Sequence, residues 1–293
     1  MRPLLHELQI FGMLCFFLGM MACSLFEESI AEPWNESILS ETHSNSEAED
    51  VISHSKWNDV LSIIVTEQGR VEYPLLFKPK IKENFISYLK LLEAPIPKKL
   101  SRRAALSYWI NAYNALTVRH VLRYPKLKSV ATAVAGAERY HFFKQAVHLV
   151  AGKLRSLDEI EHRIIRPTFR DARVHVALNC ASVSCPKLPV RAFTAQTVDL
   201  MLDQLSIDFV NDPSRNVVNK THLELSNIFN WYREDFRVAS GHHSSNLSSD
   251  LTGVREFIRR YSTLEQSPSA AMSFKPYDWS LNGPPPQSEW DEQ

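Results

Sequence analysis

The sequence carries no excess charge of either sign: 33 Lys and Arg residues stand against 33 Asp and Glu in 293 residues. No net positive field draws such a chain to nucleic acid, and no basic stripe interleaved with aromatics runs along it, so a nucleic-acid partner is discounted. Cysteine is scarce as well. Of the four present, Cys15 and Cys23 lie near the N-terminus, which leaves only Cys180 and Cys185 for a folded body and argues against a disulfide scaffold. The sequence has no phosphate-binding loop and no dinucleotide fingerprint, so no cofactor is expected. Ser182 and Ser184 lie outside any G-x-S-x-G elbow, which leaves serine hydrolysis without support. No internal repeat recurs.

What is present begins with Arg2 and an apolar run over 10–22, ending at Met21-Ala22-Cys23. This is the layout of a secretory signal (1–22), and the run is too short for a membrane span. Cys23, after a small residue and before Ser24, is placed as the lipidation site of a bacterial lipoprotein would be. From Phe26 to His54 the chain is rich in Ser, Glu and Asn and has no periodicity, so 23–54 is expected to be a disordered tether. The predicted location is outside the cytoplasm, in the periplasm or cell envelope, held to the membrane through the N-terminal anchor.

Residues 55–282 are long enough for one domain with a substantial core. Trp57, Val60, Leu61 and Ile64 recur at helical spacing up to Gly69, and Phe85, Tyr88, Leu89 and Leu92 repeat the period before Pro95. Ser101 caps the strongest predicted helix, 102–123, apolar around most of its girth and therefore central. Asn111 and Asn114 share one face of it and are expected to be structural polar anchors. Ser156-Leu157-Asp158-Glu159 has the form of a capping box for a helix that Pro167 closes. Val174, Val176 and Leu178 alternate with His175, Ala177 and Asn179, the period of a strand. A hairpin at 217–225, helices at 226–235 and 250–261, and a disordered tail at 283–293 complete a mostly helical α+β fold with a small β-sheet.

Several segments together resemble the family catalogued as domain of unknown function 547. They are Tyr108-Trp109-Ile110-Asn111-Ala112-Tyr113-Asn114, Ser156-Leu157-Asp158-Glu159-Ile160-Glu161-His162, His175-Val176-Ala177-Leu178-Asn179-Cys180-Ala181-Ser182 with Cys185-Pro186, and Phe193-Thr194-Ala195. The ending Asp278-Trp279-Ser280-Leu281-Asn282 is similar to the tail of bacterial members, and an export signal is a feature of that bacterial form. The resemblance implies a class of protein and carries no reaction with it.

The turn from Asn179 to Pro186 holds the sequence's strongest chemistry. A thiol nucleophile needs a base and a group that orients the base, and Cys180, His175 and Asn179 are those residue types. Cys185 is a second candidate, because Pro186 suits the first turn of a helix whose dipole would lower a thiol pKa. A metal site drawn from His162, His175, Cys180 and Cys185 has a spacing wider than a structural zinc knuckle, and none is expected. The two cysteines are expected to form a disulfide in an exported protein. Glu161 and His162 are assigned surface or support roles, Trp279 a packing role. The reading set against cysteine-dependent hydrolysis or acyl transfer is a binding or scaffold domain whose partner is an envelope peptide, glycan or protein.

Overall fold

The structure, a computed structural model, describes residues 52–96, 100–133, 136–241 and 251–292, all within the unit 36–293. The signal segment, Cys23 and nearly all of the tether therefore lie outside the described residues. Among those residues no helix is long and apolar enough to cross a membrane.

Among the described residues ten α-helical segments run in order. They are α1 (Ser55–Ile64), α2 (Pro79–Glu93), α3 (Arg102–Leu122), α4 (His141–Lys144), α5 (Leu157–Glu159), α6 (Arg166–Phe169), α7 (Val198–Asn211), α8 (Asn227–Trp231), α9 (Arg233–Ala239) and α10 (Thr252–Tyr261). A π-helical stretch, Ile160–Ile165, joins α5 to α6 without a break, and a 3-10 turn spans Ala172–Val176. The strands are short. β1 (His148–Val150) and β2 (Lys153–Arg155) form one hairpin, while β3 (Val217–Val218), β4 (His222–Leu225) and β5 (Ala271–Phe274) form a three-stranded sheet in that order. Its β3–β4 pair is antiparallel and its β4–β5 pair parallel.

The central helix is α3. Ser101 Oγ accepts from Ala104 N at 3.1 Å and starts it, and every residue from Ala104 to Val118 is buried. Trp57, Phe85, Tyr88 and Trp109 are fully buried around it, and burial of side chains of this size contributes about 1.5–3 kcal/mol each. A helix enclosed on all sides must also find partners for its polar side chains, and the two asparagines of α3 do so. Asn111 Nδ2 donates to Phe193 O (2.8 Å) while its Oδ1 accepts from Phe193 N (3.0 Å). Asn114 Nδ2 donates to Ala177 O (3.0 Å), and its Oδ1 accepts from Asn179 N (2.8 Å). Each amide thus completes two backbone groups of a segment that has no sheet or helix partner of its own.

Several expectations are corrected. Residues 174–178 are not a strand: Ala172–Val176 is a 3-10 turn with Asp171 as its cap. Because the whole stretch is buried, the alternation of its side chains marked no face. Pro167 does not end its helix. A proline there removes the N–H owed to residue 163 and crowds that carbonyl, and the helix passes it by widening into the π-stretch, where Arg166 N donates to Glu161 O. The capping box is half-formed, since Ser156 Oγ accepts from Glu159 N (3.0 Å) but the Glu159 carboxylate pairs with Arg155.

The β1–β2 hairpin was not foreseen. Its turn, Ala151-Gly152, has both residues at positive φ (52° and 73°), the geometry that matches strand twist in two-residue turns. Donation from both turn amides to Leu92 O and Glu93 O holds Ala151 in that unfavoured conformation.

Residues 283–292 likewise do not form a loose tail. Trp290 packs edge-on against Phe77 and Phe85, Lys126 N donates to Pro286 O, and Arg119 holds Glu292 through two bonds of 2.6 Å. The turn into this segment requires glycine: a Cβ on Gly283 would sit 1.9 Å from Val71 O.

Candidate functional site

The turn that follows the 3-10 segment is built on asparagine. Asn179 Oδ1 accepts from Ala181 N (2.9 Å) and Asn179 Nδ2 donates to Pro186 O (2.8 Å), which closes both ends of the turn. Ala181 sits between them at φ 62°, a left-handed conformation that costs about 1–2 kcal/mol outside glycine. The C-terminal strap offsets that cost. Asn282 N donates to Ala181 O, Val183 N to Ser280 O and Ser184 N to Asp278 O, and Leu281 bridges Ser182 in antiparallel register. Asn282 also ties the strap to the core, because its Nδ2 donates to Asn179 Oδ1 and its Oδ1 accepts from Tyr73 Oη (2.8 Å). The Asp278-Trp279-Ser280-Leu281-Asn282 ending is therefore the strand that supports the cysteine turn.

The strap also brings Tyr277 to the thiol. Cys180 Sγ lies 3.0 Å from Ser182 Oγ and 3.3 Å from Tyr277 Oη, and Ser182 Oγ donates to Tyr277 Oη (3.2 Å). Both cysteines are free. The expected disulfide is not formed; instead Cys180 N donates to Cys185 Sγ (2.8 Å), so sulfur caps the turn without a covalent bond. Burial pushes the Cys180 thiol up, but hydrogen bonds from Cys185, Ser182 and Tyr277 outweigh it and bring the thiol down to about 7. Cys185 is held well above the usual thiol range by its own burial and then by the neighbouring sulfur. Of the two, Cys180 is the thiol whose hydrogen bonds favour the thiolate. Cys185 opens no helix, since residues 185–197 are irregular, and Pro186 does not play the role expected of it.

A cleft of about 510 Å³ opens onto Cys180. His175 lines it, buried at 3 % exposure, with Nε2 2.7 Å from Asp235 Oδ2 and its ring stacked 3.9 Å from that of Tyr232. Arg166 grips the same carboxylate through Nε and Nη2 at 2.6 and 3.0 Å. Although burial opposes it, these bonds from His175 and Arg166 hold Asp235 well below the usual carboxylate range. The π-stretch supplies Glu161 and His162 to the same cleft. Glu161 accepts from Tyr232 Oη (2.6 Å) and Tyr113 Oη (3.1 Å), and His162 Nδ1 lies 2.9 Å from Arg166. Around the opening, Trp279 contacts Trp231 (5.6 Å, stacked), Tyr277 (4.5 Å) and Tyr140 (4.8 Å). Trp231 is 44 % exposed, so these two tryptophans form a wall and are not core.

The sequence candidates thus separate. Cys180, His175, Cys185, Glu161, His162 and Trp279 border one cleft, whereas Asn179, Asn111 and Asn114 stand behind it as buried ties. His175 and Asn179 do not form a nucleophile–base–orienter set, because the group that orients His175 is Asp235. Among the described residues no group of three or more His, Cys, Asp or Glu is placed to hold a metal. His175 and His162 have ring nitrogens committed to Asp235 and Arg166. Asp235, Arg166, Tyr232 and Tyr277 were not foreseen. Tyr277 directly precedes the recognisable ending, but nothing in the pattern of α9 marks Asp235.

No curated protein and no solved structure matches the chain. Residues 97–210, which carry Asn111, Asn114, Glu161, His175, Cys180 and Cys185, match the family described as Protein of unknown function, DUF547.

Proposed function

We propose that the cleft is the active site of a cysteine-dependent acyl-transfer or hydrolytic enzyme with Cys180 as its nucleophile. The observation that carries this reading is the setting of one thiol, brought to about 7 by Ser182, Tyr277 and Cys185, in a cleft that also holds His175 braced by Asp235. A thiolate at neutral pH is the reactive form of cysteine, and a positioned imidazole moves protons at that pH. The Cys180 sulfur attacks a carbonyl carbon of an ester, thioester or amide, forming the S–C bond. His175 delivers a proton to the departing oxygen, sulfur or nitrogen as its bond to that carbon breaks. Water or a second nucleophile then takes the acyl group and returns the thiol.

Alkylation with iodoacetamide across pH, followed by peptide mass analysis of Cys180 and Cys185, tests the nucleophile. Cys180 is expected to react with a midpoint near 7, well ahead of Cys185. A Cys180 that reacts no faster than Cys185, or only at the pH of an ordinary thiol near 8.5, overturns the assignment.

A binding or scaffold role without chemistry is the second reading, supported by the stacked Trp231 and Trp279 at the opening; it predicts ligand binding that survives Cys180→Ser with no turnover in either form. The setting we propose for either activity is the bacterial cell envelope, the chain being exported and anchored by lipid on Cys23, on the strength of the apolar run over 10–22 and the polar stretch behind it.

A further inference from the structure

We propose that the substrate of this cleft carries a primary ammonium group, seated against Glu161; this deepens the cysteine-enzyme reading and rests on it for the chemistry, though not for the binding. A carboxylate offers about four acceptor positions. Glu161 uses one on Tyr232 Oη and one on Tyr113 Oη, both neutral donors, so two acceptor positions remain unbonded in a partly buried wall of the cleft.

The cations nearby bond to other carboxylates. Arg166 makes two bonds to Asp235, although its charge still acts on Glu161, and Lys144 pairs with Glu138 (3.1 Å). Asp158, one turn before His162, adds a second carboxylate to the lining. The lining itself holds two carboxylates, Asp158 and Glu161, and two cations, Lys144 and Arg166, and the partners of those cations, Glu138 and Asp235, stand outside it. Ionising Cys180 adds a further negative charge. The rest of the lining is largely aromatic, with Tyr113, Tyr140, Phe143, Trp231, Tyr277 and Trp279, whose ring faces also favour a cation. A primary ammonium answers all these features at once, since it donates N–H bonds to the open Glu161 positions and its alkyl stem lies along aromatic surface. Its charge also favours the Cys180 thiolate, so ammonium binding and thiol ionisation assist each other.

The test uses the intact protein and two readouts. In the first, n-butylammonium chloride is titrated while tryptophan fluorescence is followed, with sodium chloride at equal ionic strength and 1-butanol as controls. A saturable change with n-butylammonium alone is expected, weakened roughly tenfold by Glu161→Gln, the scale of a lost charge-assisted contact. In the second, the kcat/KM for an Nα-acetyl-lysine aryl ester is compared with that for the norleucine ester, which lacks only the ammonium. The lysine ester is expected to be preferred by roughly tenfold, the preference collapsing in Glu161→Gln. Equal response to n-butylammonium and 1-butanol in the wild-type protein overturns the inference whether or not the variant folds. An inert Cys180 beside intact ammonium binding overturns the enzyme reading and leaves the cation site standing. A reactive Cys180 that turns over both esters equally does the reverse.

Discussion

Two polar regions lie back to back in this molecule, and they differ in enclosure: one is buried against backbone and the other borders a cleft. Behind the cysteine turn, Asn111, Asn114, Asn179 and Asn282 bond through both the oxygen and the nitrogen of each amide, and all are nearly fully buried. In front of it, Glu161 has acceptor positions to spare, Cys180 keeps a low-lying thiol, and the surrounding aromatics face a cavity. Enclosed amides bonded through both oxygen and nitrogen fix a backbone that has no regular secondary structure of its own. Acceptor positions beside open space are what a ligand can complete. The turn between them is strained at Ala181 and needs the first region in order to present the second.

The largest effect expected from breaking this division falls on the enclosed side. Asn114→Ala removes one side chain but orphans two buried backbone groups, Ala177 O and Asn179 N. Each unsatisfied group costs about 1–3 kcal/mol, so a loss of about 3 kcal/mol is expected in urea unfolding. A loss below about 0.5 kcal/mol, the scale of a neutral surface change, means that the amide is not an anchor.

A third buried polar site sharpens the comparison, because it is enclosed in the core yet unpartnered. His148 is 1 % exposed with both ring nitrogens unpartnered among the described residues, 4.9 Å from the ring of His120. Burial, then the charge of His120, pushes the His148 imidazole down to about 2, and burial takes His120 to about 3. A histidine lowered in the folded state leaves stability whole above its unfolded value of 6.5 and removes it as pH falls from there toward the folded value. At pH 5 one such imidazole costs about 2 kcal/mol, from 1.36 kcal/mol per pH unit over the 1.5 units below 6.5. His148→Leu is expected to shrink the loss of unfolding free energy between pH 7.5 and 5 by about that amount. An unchanged pH dependence would show that this imidazole protonates freely in the fold.

These regions were unequally legible in the sequence. The helix that carries Asn111 and Asn114 could be read because its apolar residues surround the axis and Ser101 caps it, both local features. The face shared by the two amides was visible from their spacing alone. The stretch around His175 was misread, since a buried 3-10 turn and a buried strand leave the same apolar alternation. The cleft was legible only in part. Cys180, His175 and the Glu161–His162 pair were identifiable by residue type, but their partners come from far along the chain. Asp235 is 60 residues beyond His175, and Tyr277 is 97 beyond Cys180. No periodicity links residues at such distances, because the contact is made by the packing of α9 and the strap. The same reason made the segment after Gly283 look free, when Trp290 and Glu292 find their partners on α2 and α3.

The finest effect isolates one of the donors that lower Cys180. Tyr277 Oη lies 3.3 Å from Cys180 Sγ, and burial, followed by the nearby sulfurs, holds the phenol well above its usual range. It therefore stays protonated where Cys180 ionises and can donate to the thiolate throughout the neutral range. Tyr277→Phe keeps the ring that packs on Trp279 and Trp231 and deletes only the hydroxyl. The Cys180 thiol then rises, and alkylation at pH 7 is expected to slow about fivefold, the scale of one hydrogen bond to a charged group partly offset by the greater nucleophilicity of a more basic thiolate. The pH profile separates this from simple loss of structure. Loss of a donor moves the midpoint upward and leaves the rate at high pH unreduced, since both proteins are thiolate there, whereas a disordered turn changes that plateau and also speeds the alkylation of buried Cys185. A midpoint unmoved by Tyr277→Phe would leave Ser182 and Cys185 as the groups that lower Cys180, and would confine the strap to holding the turn.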